Sequence, residues 1–467
     1  MTTDTAPAVP DPDAAPQPPA APERRRLTLD LDVDICVVGA GLAGLTTALE
    51  AARMGASVAV LESRHIGWSA SGNHLGIVLP GYGVPVDMLA ARAGLDTARE
   101  LWTMSEQGAD YMRATASACG VAVSPAGALE VSNVDRGGRL AAKVRLLSDG
   151  FGAQVEAWRS DRLRAALGTD RYFDALHFPT ACHIDPASYL DGLATLARRA
   201  GVRIYEDTPV IGIEASGIRK RIATAAARLR AEHVVLAGSV HLGAAMPELA
   251  ATLLPTWRYA AVTEPLGERL AELLTRSAVA DTDGVDQFRI VDESRLMWAS
   301  PETTWPANPA RFGRAIQRRI RTIFPRLGKV ALSSVWSGAV GRTVHGMPQI
   351  GELRPGLWVA SGFGGHGLNT TALAGQLIAR GILRSDDRWR LFAPFELVWA
   401  GGKLGQVAGQ VVIGWTRASS AAAGMLARWS ERAARREEQR EARVAAANRQ
   451  MAERPARRAG ARDLTGG

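Results

Sequence analysis

Six residues, Gly39-Ala40-Gly41-Leu42-Ala43-Gly44, follow directly on the strand-favouring run Val33 to Val38 and open a helical pattern from Leu45 to Met54. Gly55 closes that helix, Val58 to Glu62 reads as the next strand, and the Glu62 acid stands 23 positions after Gly39. Strand, glycine turn, helix and strand in this register make a site for a dinucleotide. Gly39 permits the tight turn, Gly41 lets the backbone approach a pyrophosphate, and Gly44 lets the helix lie close on the strand. Amides of Leu42 and Ala43 at the helix N-terminus face the phosphates, and the Glu62 carboxylate accepts hydrogen bonds from ribose hydroxyls.

A second glycine cluster, Ser361-Gly362-Phe363-Gly364-Gly365-His366-Gly367-Leu368-Asn369, lies some 300 residues later between a strand pattern (Leu357 to Ala360) and a helix pattern (Thr371 to Leu383). It aims amides at a negative or electron-rich group, as a flavin pyrimidine becomes on reduction. One long cofactor met from both ends of the chain, with no second fingerprint for a nicotinamide, points to FAD. Flavin accepts a hydride equivalent from a carbon next to nitrogen, and the reacting nitrogen must be neutral, so a base or a desolvating pocket assists. His74, His345 and His366 are the candidate groups, with Arg342 beside His345 as a charge partner.

These residues need a folded body, and the composition supplies one. The chain has 467 residues, 47% hydrophobic and 22% charged, which excludes collagenous, wholly disordered and disulfide-stapled classes. Three scattered cysteines form no CxxC pair, so the sequence predicts neither a disulfide framework nor a metal site, and a reducing cytoplasm. No stretch is apolar enough to span a bilayer. The net charge of +8 invites a nucleic-acid reading, but residues 428–462 carry 11 arginines against 5 glutamates, six of the eight excess charges. The body is not basic, so no nucleic-acid partner is expected.

Residues 1–26, rich in Ala, Pro and Asp, read as a disordered leader. Gly401, Gly405 and Gly409, interrupted by Lys403, Gln406 and Gln410, predict a packed or surface-lying helix. Beyond it the Ala/Arg/Glu content predicts a long solvated helix ending at Pro455, a surface for a protein or membrane contact.

In order and spacing, further segments join the fingerprint: Ala70-Ser71-Gly72-Asn73-His74-Leu75-Gly76, Ile184-Asp185-Pro186, Asp207-Thr208-Pro209-Val210, Val234 to Gly238, Trp336-Ser337-Gly338 and Gly346 to Gly351. With them the chain resembles the FAD-dependent amine and amino-acid oxidoreductases of the D-amino-acid oxidase superfamily, in particular its gamma-glutamylputrescine oxidase-like members. The resemblance implies a mixed α/β (α+β) fold. In it a Rossmann-like FAD-binding domain (27–103, 179–247 and 334–383) is combined with a smaller antiparallel β-sheet substrate domain (104–178 and 248–332), both discontinuous. A helical region (384–427) and the basic tail (428–467) follow. It also implies that Ser63, Ser69, Ser71, Asn73, His74 and Gly76 lie along the cofactor. Val210 would meet adenine, Ala237 and Gly238 would flank the pyrophosphate, and Gly362 and Gly364 to Leu368 would line the flavin.

Two departures bear on the substrate. Amino-acid oxidases of the superfamily grip the substrate carboxylate with an arginine where this chain has Val340, and the cysteine that tethers flavin in sarcosine oxidases is replaced by Ser337 and Gly338. The resemblance therefore implies an amine or gamma-glutamyl amine substrate, with dioxygen or an electron carrier as acceptor. Trp257, Tyr259 and Trp298 are either pocket walls or core. Two other readings stay open from the residues: an FAD domain like that of a tRNA-modifying oxidoreductase, and a flavin-bound scaffold whose basic tail binds a partner or an anionic membrane surface.

Overall fold

The structure, a computed structural model, describes residues 25–460 apart from 272–274 and 282–285. Of the expected leader only Arg25 and Arg26 are among them, and both are held. The Arg25 carbonyl accepts the Glu206 N–H at 2.8 Å, and Arg26 pairs with Asp207 at 3.5 Å.

Two eight-stranded sheets organise the chain. In the first, Leu31–Val38 lies parallel to Val58–Leu61 on one side and to Arg228–Leu236 on the other. Its Ile35, Cys36 and Val37 are fully buried, because a parallel strand covered on both faces has no side left for polar residues. Leu357–Ser361 runs parallel to the end of Arg228–Leu236, which brings the second glycine cluster to the same sheet edge as the first. Helices Leu42–Arg53 and Gly367–Arg384 cover this sheet together. They approach so closely that a Cβ on Gly375 would stand 2.5 Å from Thr46 Cγ2.

The second sheet is antiparallel except for the pair Ala128–Ser132 with Ala278–Asp281. Helix Ala310–Ile323 covers one face through Ile316, Ile320 and Ile323, an i, i+4, i+7 stripe. Beneath it Phe288 and Trp298 stack at 4.5 Å with planes 6° apart. Tyr259 and Trp298 are therefore core, and neither they nor Trp257 line the cavity described below.

The structure departs from the expected boundaries at three places. Leu332–Arg342, placed with the FAD-binding segments, hydrogen-bonds along Leu254–Thr263 in the second sheet, and only from Gln349–Arg354 does the chain rejoin the first. Leu95–Ala118 is one helix that spans the proposed division at residue 103, and its Leu101, Trp102 and Met112 join the core of the first sheet. The helical region and tail are also one element, Gly402–Gly460, continuous through Pro455. No helix among the described residues is long and apolar enough to cross a membrane.

Candidate active site

The turn that leaves the first strand is fixed by what surrounds it. Gly39 has φ +110°, and a Cβ there would stand 2.8 Å from the Ala237 carbonyl, so strand Arg228–Leu236 delivers Ala237 and Gly238 against the glycine turn. A Cβ on Gly44 would stand 2.0 Å from the Gly39 carbonyl oxygen and 3.1 Å from Val37 Cγ1, so this helix position has no room for a side chain. The Ser71 hydroxyl accepts the Leu42 N–H at 3.2 Å at the helix N-terminus. Glu62 accepts from Ala40 N (2.9 Å), Arg64 N (3.0 Å), Ser63 Oγ (3.1 Å) and Trp68 Nε1 (2.8 Å). Four donors match the acceptor capacity of a carboxylate, and the rotatable Ser63 hydroxyl is the one that can turn away for a ribose.

A cavity of about 730 Å³ runs from this turn to the second glycine cluster and on to the second sheet. At its far end Gly364, Gly365 and Gly367 have nothing within 4 Å of where a Cβ would be, so their backbone faces open space. The 18-residue helix Gly367–Arg384 begins there and points its free first-turn amides the same way. Thr370 and Thr371 return their hydroxyls to the His366 and Gly367 carbonyls.

His74 lines the cavity between these ends. Its Nδ1 accepts the Gly76 N–H at 2.9 Å, and its buried Nε2 has no hydrogen-bond partner. Burial, aided by the Arg289 guanidinium, lowers its pKa to about 4 against smaller opposing effects of Asp185 and the Ser71 carbonyl. The ring is neutral near pH 7, and because Nδ1 accepts, the proton sits on Nε2. His74 is thus a neutral side chain on the cavity wall, with its Nε2 covered by protein. Arg289 donates to the Leu75 carbonyl, to the Ile184 carbonyl at 3.0 Å and to His183 Nδ1 at 3.3 Å. Burial followed by Arg289 lowers His183 to about 4 as well.

The two buried neutral imidazoles predict an acid limb. Each folded pKa lies below the ordinary 6.5, so their contribution to stability is complete above pH 6.5 and is lost as pH falls towards 4. NMR of the imidazoles should show both rings neutral down to about pH 4.5, and titration near 6.5 would contradict the burial described.

Arg342 reaches the cavity wall but spends its charge elsewhere. Its Nη2 meets Glu302 Oε1 at 2.6 Å, and Arg258 Nη2 meets the same oxygen at 3.0 Å. His345 is not at the site. Its Nδ1 accepts the Met347 N–H at 3.1 Å, its Nε2 faces the Glu396 carbonyl at 3.2 Å, and it does not line the cavity, so it ties a turn and is corrected to a structural histidine.

Comparison with known proteins bears on what occupies the cavity. The profile described as FAD dependent oxidoreductase matches residues 34–380. The chain belongs to the FAD dependent oxidoreductase family. It is 30% identical to the gamma-glutamylputrescine oxidoreductase of Escherichia coli strain K12, over 79% of this chain and 87% of that one. It is 28% identical to a probable oxidoreductase OrdL of Haemophilus influenzae, over 77% and 85%. The crystal structure of glycine oxidase from Geobacillus kaustophilus superposes with a TM-score of 0.64 at 22% identity, covering 79% of this chain and 99% of that one.

The residues of this FAD dependent oxidoreductase fit its cofactor. The glycine backbones leave an open cradle at one end, helix N-termini face the cavity at both ends, and Glu62 stands at the dinucleotide turn. Of the residues expected from sequence, Gly39, Gly41, Leu42, Ala43, Glu62, Ser63, Ser69, Ser71, His74, Val210, Ala237, Gly238, Gly364, Gly365, His366, Gly367 and Leu368 line the cavity, as does Arg342.

Gly44, Asn73, Gly76 and Gly362 do not line it and act on the backbone instead. Asn73 Nδ2 donates to the Gly67 and Ser69 carbonyls at 3.0 and 2.8 Å. Gly76 (φ +73°) leaves room for the Ile184 carbonyl, and Gly362 (φ +70°) for Thr343. Trp68, Tyr82, Glu130, Arg136, Lys143, His241, Asp281 and Gln287 line the cavity without having been singled out by sequence. Trp68, six residues from Glu62, and His241, three from Gly238, lay close enough in sequence to a motif to be suspected.

Proposed function

We propose that this enzyme oxidises a C–N bond of an amine or gamma-glutamyl amine, and that the resulting imine hydrolyses to an aldehyde. The observation that carries the reading is Val340 on the cavity wall, next but one to an Arg342 whose guanidinium Glu302 holds at 2.6 Å. A free α-amino acid needs a cation for the carboxylate beside its reacting carbon, typically a bidentate guanidinium. Here the strand offers an apolar side chain and a guanidinium already answered by a carboxylate.

Glu130, Arg136, Lys143 and Asp281 place both signs of charge elsewhere on the wall, with Lys143 and Glu130 3.5 Å apart. That mixture suits the distal amino-acid head of a gamma-glutamyl amine, one carboxylate and one ammonium. The gamma-glutamylputrescine oxidoreductase at 30% identity supports the same substrate class.

Bound flavin supplies the acceptor for the hydride leaving the carbon. The chain's own groups prepare the substrate. The buried Arg289 places positive charge behind His74 and His183, which disfavours an ammonium beside them and favours the neutral amine. The neutral His74 ring adds no charge of its own to the cavity wall beside the substrate. The nitrogen loses its second proton to water as imine forms, and water then releases ammonia and the aldehyde. Dioxygen or an electron carrier closes the cycle, and the free state of all three cysteines supports a reducing cytoplasm as the compartment.

The test is product formation by the purified holoenzyme. Gamma-glutamylputrescine should yield a trappable aldehyde and ammonia with a kcat/KM at least about a hundredfold above that for glycine. Preference for glycine would reject the reading.

A further inference from the structure

The helix Gly402–Gly460 is docked the wrong way round for a surface helix. Such helices bury their apolar stripe and expose their polar one. Here the face turned to the second sheet carries Gln406, Gln410, Arg417, Ser420, Gly424 and Glu431. Gln410 Oε1 accepts the Thr304 N–H at 2.9 Å, the Gln406 carbonyl accepts the Thr304 hydroxyl at 2.9 Å, and Ser420 Oγ accepts from Asn133 Nδ2 at 2.8 Å. Arg417 turns towards Glu302, and Glu431 pairs with Arg164. The large apolar residues Leu404, Val411, Trp415, Met425, Leu426 and Trp429 face outward, with Leu404, Trp415 and Trp429 77%, 74% and 76% exposed.

From Leu404 to Ala427 the only charged residue is Arg417, which faces inward, so the outward surface is uncharged over about 36 Å of helix. Directly beyond it begins the stretch with 11 arginines against 5 glutamates. Leaving such a continuous apolar face to water is unfavourable, and the polar contacts on the other face prevent the helix from rolling over to bury it.

We propose that this face docks on an anionic lipid surface, lying in the headgroup boundary without crossing it. Each feature has its counterpart there: the aliphatic side chains enter the acyl boundary, the two tryptophans sit at the headgroup level, and the arginines meet anionic headgroups. A second copy of this chain satisfies the apolar side chains but brings an equal excess of six positive charges against the first, whereas an anionic bilayer is complementary in both respects. The surface is separate from the cavity, so docking leaves the oxidation chemistry where it is.

The test is flotation of the full-length holoenzyme with vesicles of phosphatidylcholine alone or with added phosphatidylglycerol. The protein should float with the anionic vesicles only, release as salt rises, and show a blue shift of tryptophan emission. The triple variant Trp415→Ser, Leu426→Ser, Trp429→Ser should lower partitioning at least about tenfold, with an unchanged flavin spectrum reporting an intact fold. Arg435→Ser with Arg436→Ser and Arg440→Ser, which leaves the apolar face in place, should lower it several-fold. Absence of flotation, or equal flotation with phosphatidylcholine alone, overturns the proposal. A lipid-free dimer that the triple variant dissociates overturns it too, by showing that a second copy covers the face.

Discussion

Glu302→Ala should lower the free energy of unfolding by about 3–5 kcal/mol, read as a shift of the denaturant midpoint of the holoenzyme at constant slope. The Glu302 side chain is 12% exposed and lies between Arg258 and Arg342, with Arg417 from the C-terminal helix nearby. Burial alone would raise its pKa. The three guanidinium groups outweigh that and hold it at about 2, against an ordinary 4.5. Removing the carboxylate leaves buried positive charges facing one another, and their desolvation is no longer offset.

The sign with pH follows from the lowered value. The charged carboxylate contributes its full stabilisation above pH 4.5 and loses it as pH falls through about 2, roughly 3 kcal/mol in all. The variant should therefore lack the part of the acid-induced loss between those limits that the parent shows. A variant within about 0.5 kcal/mol of the parent at pH 7 would mean that the cluster is not organised as described.

Gly44→Val should give protein that retains no flavin. Its Cβ would stand 2.0 Å from a backbone oxygen, Gly39 O, and neither partner is a flexible side-chain end that can move aside. Helix Leu42–Arg53 would have to lift off strand Leu31–Val38, which takes its N-terminal amides away from the cavity and overpacks the core by about 3 kcal/mol or more. Gly365→Ala is the informative contrast. Nothing lies within 4 Å of its Cβ position, so the added methyl enters the cavity and leaves the fold alone. It should keep the parent's unfolding midpoint in the apoprotein and weaken flavin binding, measured by titration of apoprotein with FAD. A yellow, stable Gly44→Val protein would remove the close helix–strand contact from the account.

The part of the site that could be read from sequence is the part built from contiguous residues. Strand, glycine turn and helix at 33–62 are local, so each glycine's role follows from its spacing, and the structure places Gly39, Gly41 and Glu62 on the cavity. Arg289 escaped notice because its partners lie far away in the chain: the Leu75 carbonyl is 214 residues distant and His183 is 106. No periodicity marks such a clamp.

His345 failed as a candidate for a related reason. A histidine in a Gly-rich turn looks alike in sequence whether it faces a substrate or a backbone, and the Glu396 carbonyl 51 residues on decides the matter. The C-terminal helix was legible as a helix, but its orientation was not, because the partners that draw its polar face inward, Thr304, Asn133 and Arg164, belong to loops and a helix that flank the second sheet. The split of Leu332–Arg342 from the strands that follow it reflects pairing energy alone: its hydrogen bonds go to Leu254–Thr263, and nothing in its own residues names that partner.

The central claim is that the cavity oxidises an amine that carries its carboxylate away from the reacting carbon. It is tested most directly by mixing the holoenzyme with gamma-glutamylputrescine under anaerobic conditions and following the flavin absorbance, with glycine and putrescine mixed in parallel. The account predicts prompt bleaching by gamma-glutamylputrescine, slower bleaching by putrescine, which lacks the distal head, and none by glycine. Bleaching by glycine first, or a spectrum inert to all three, would contradict it.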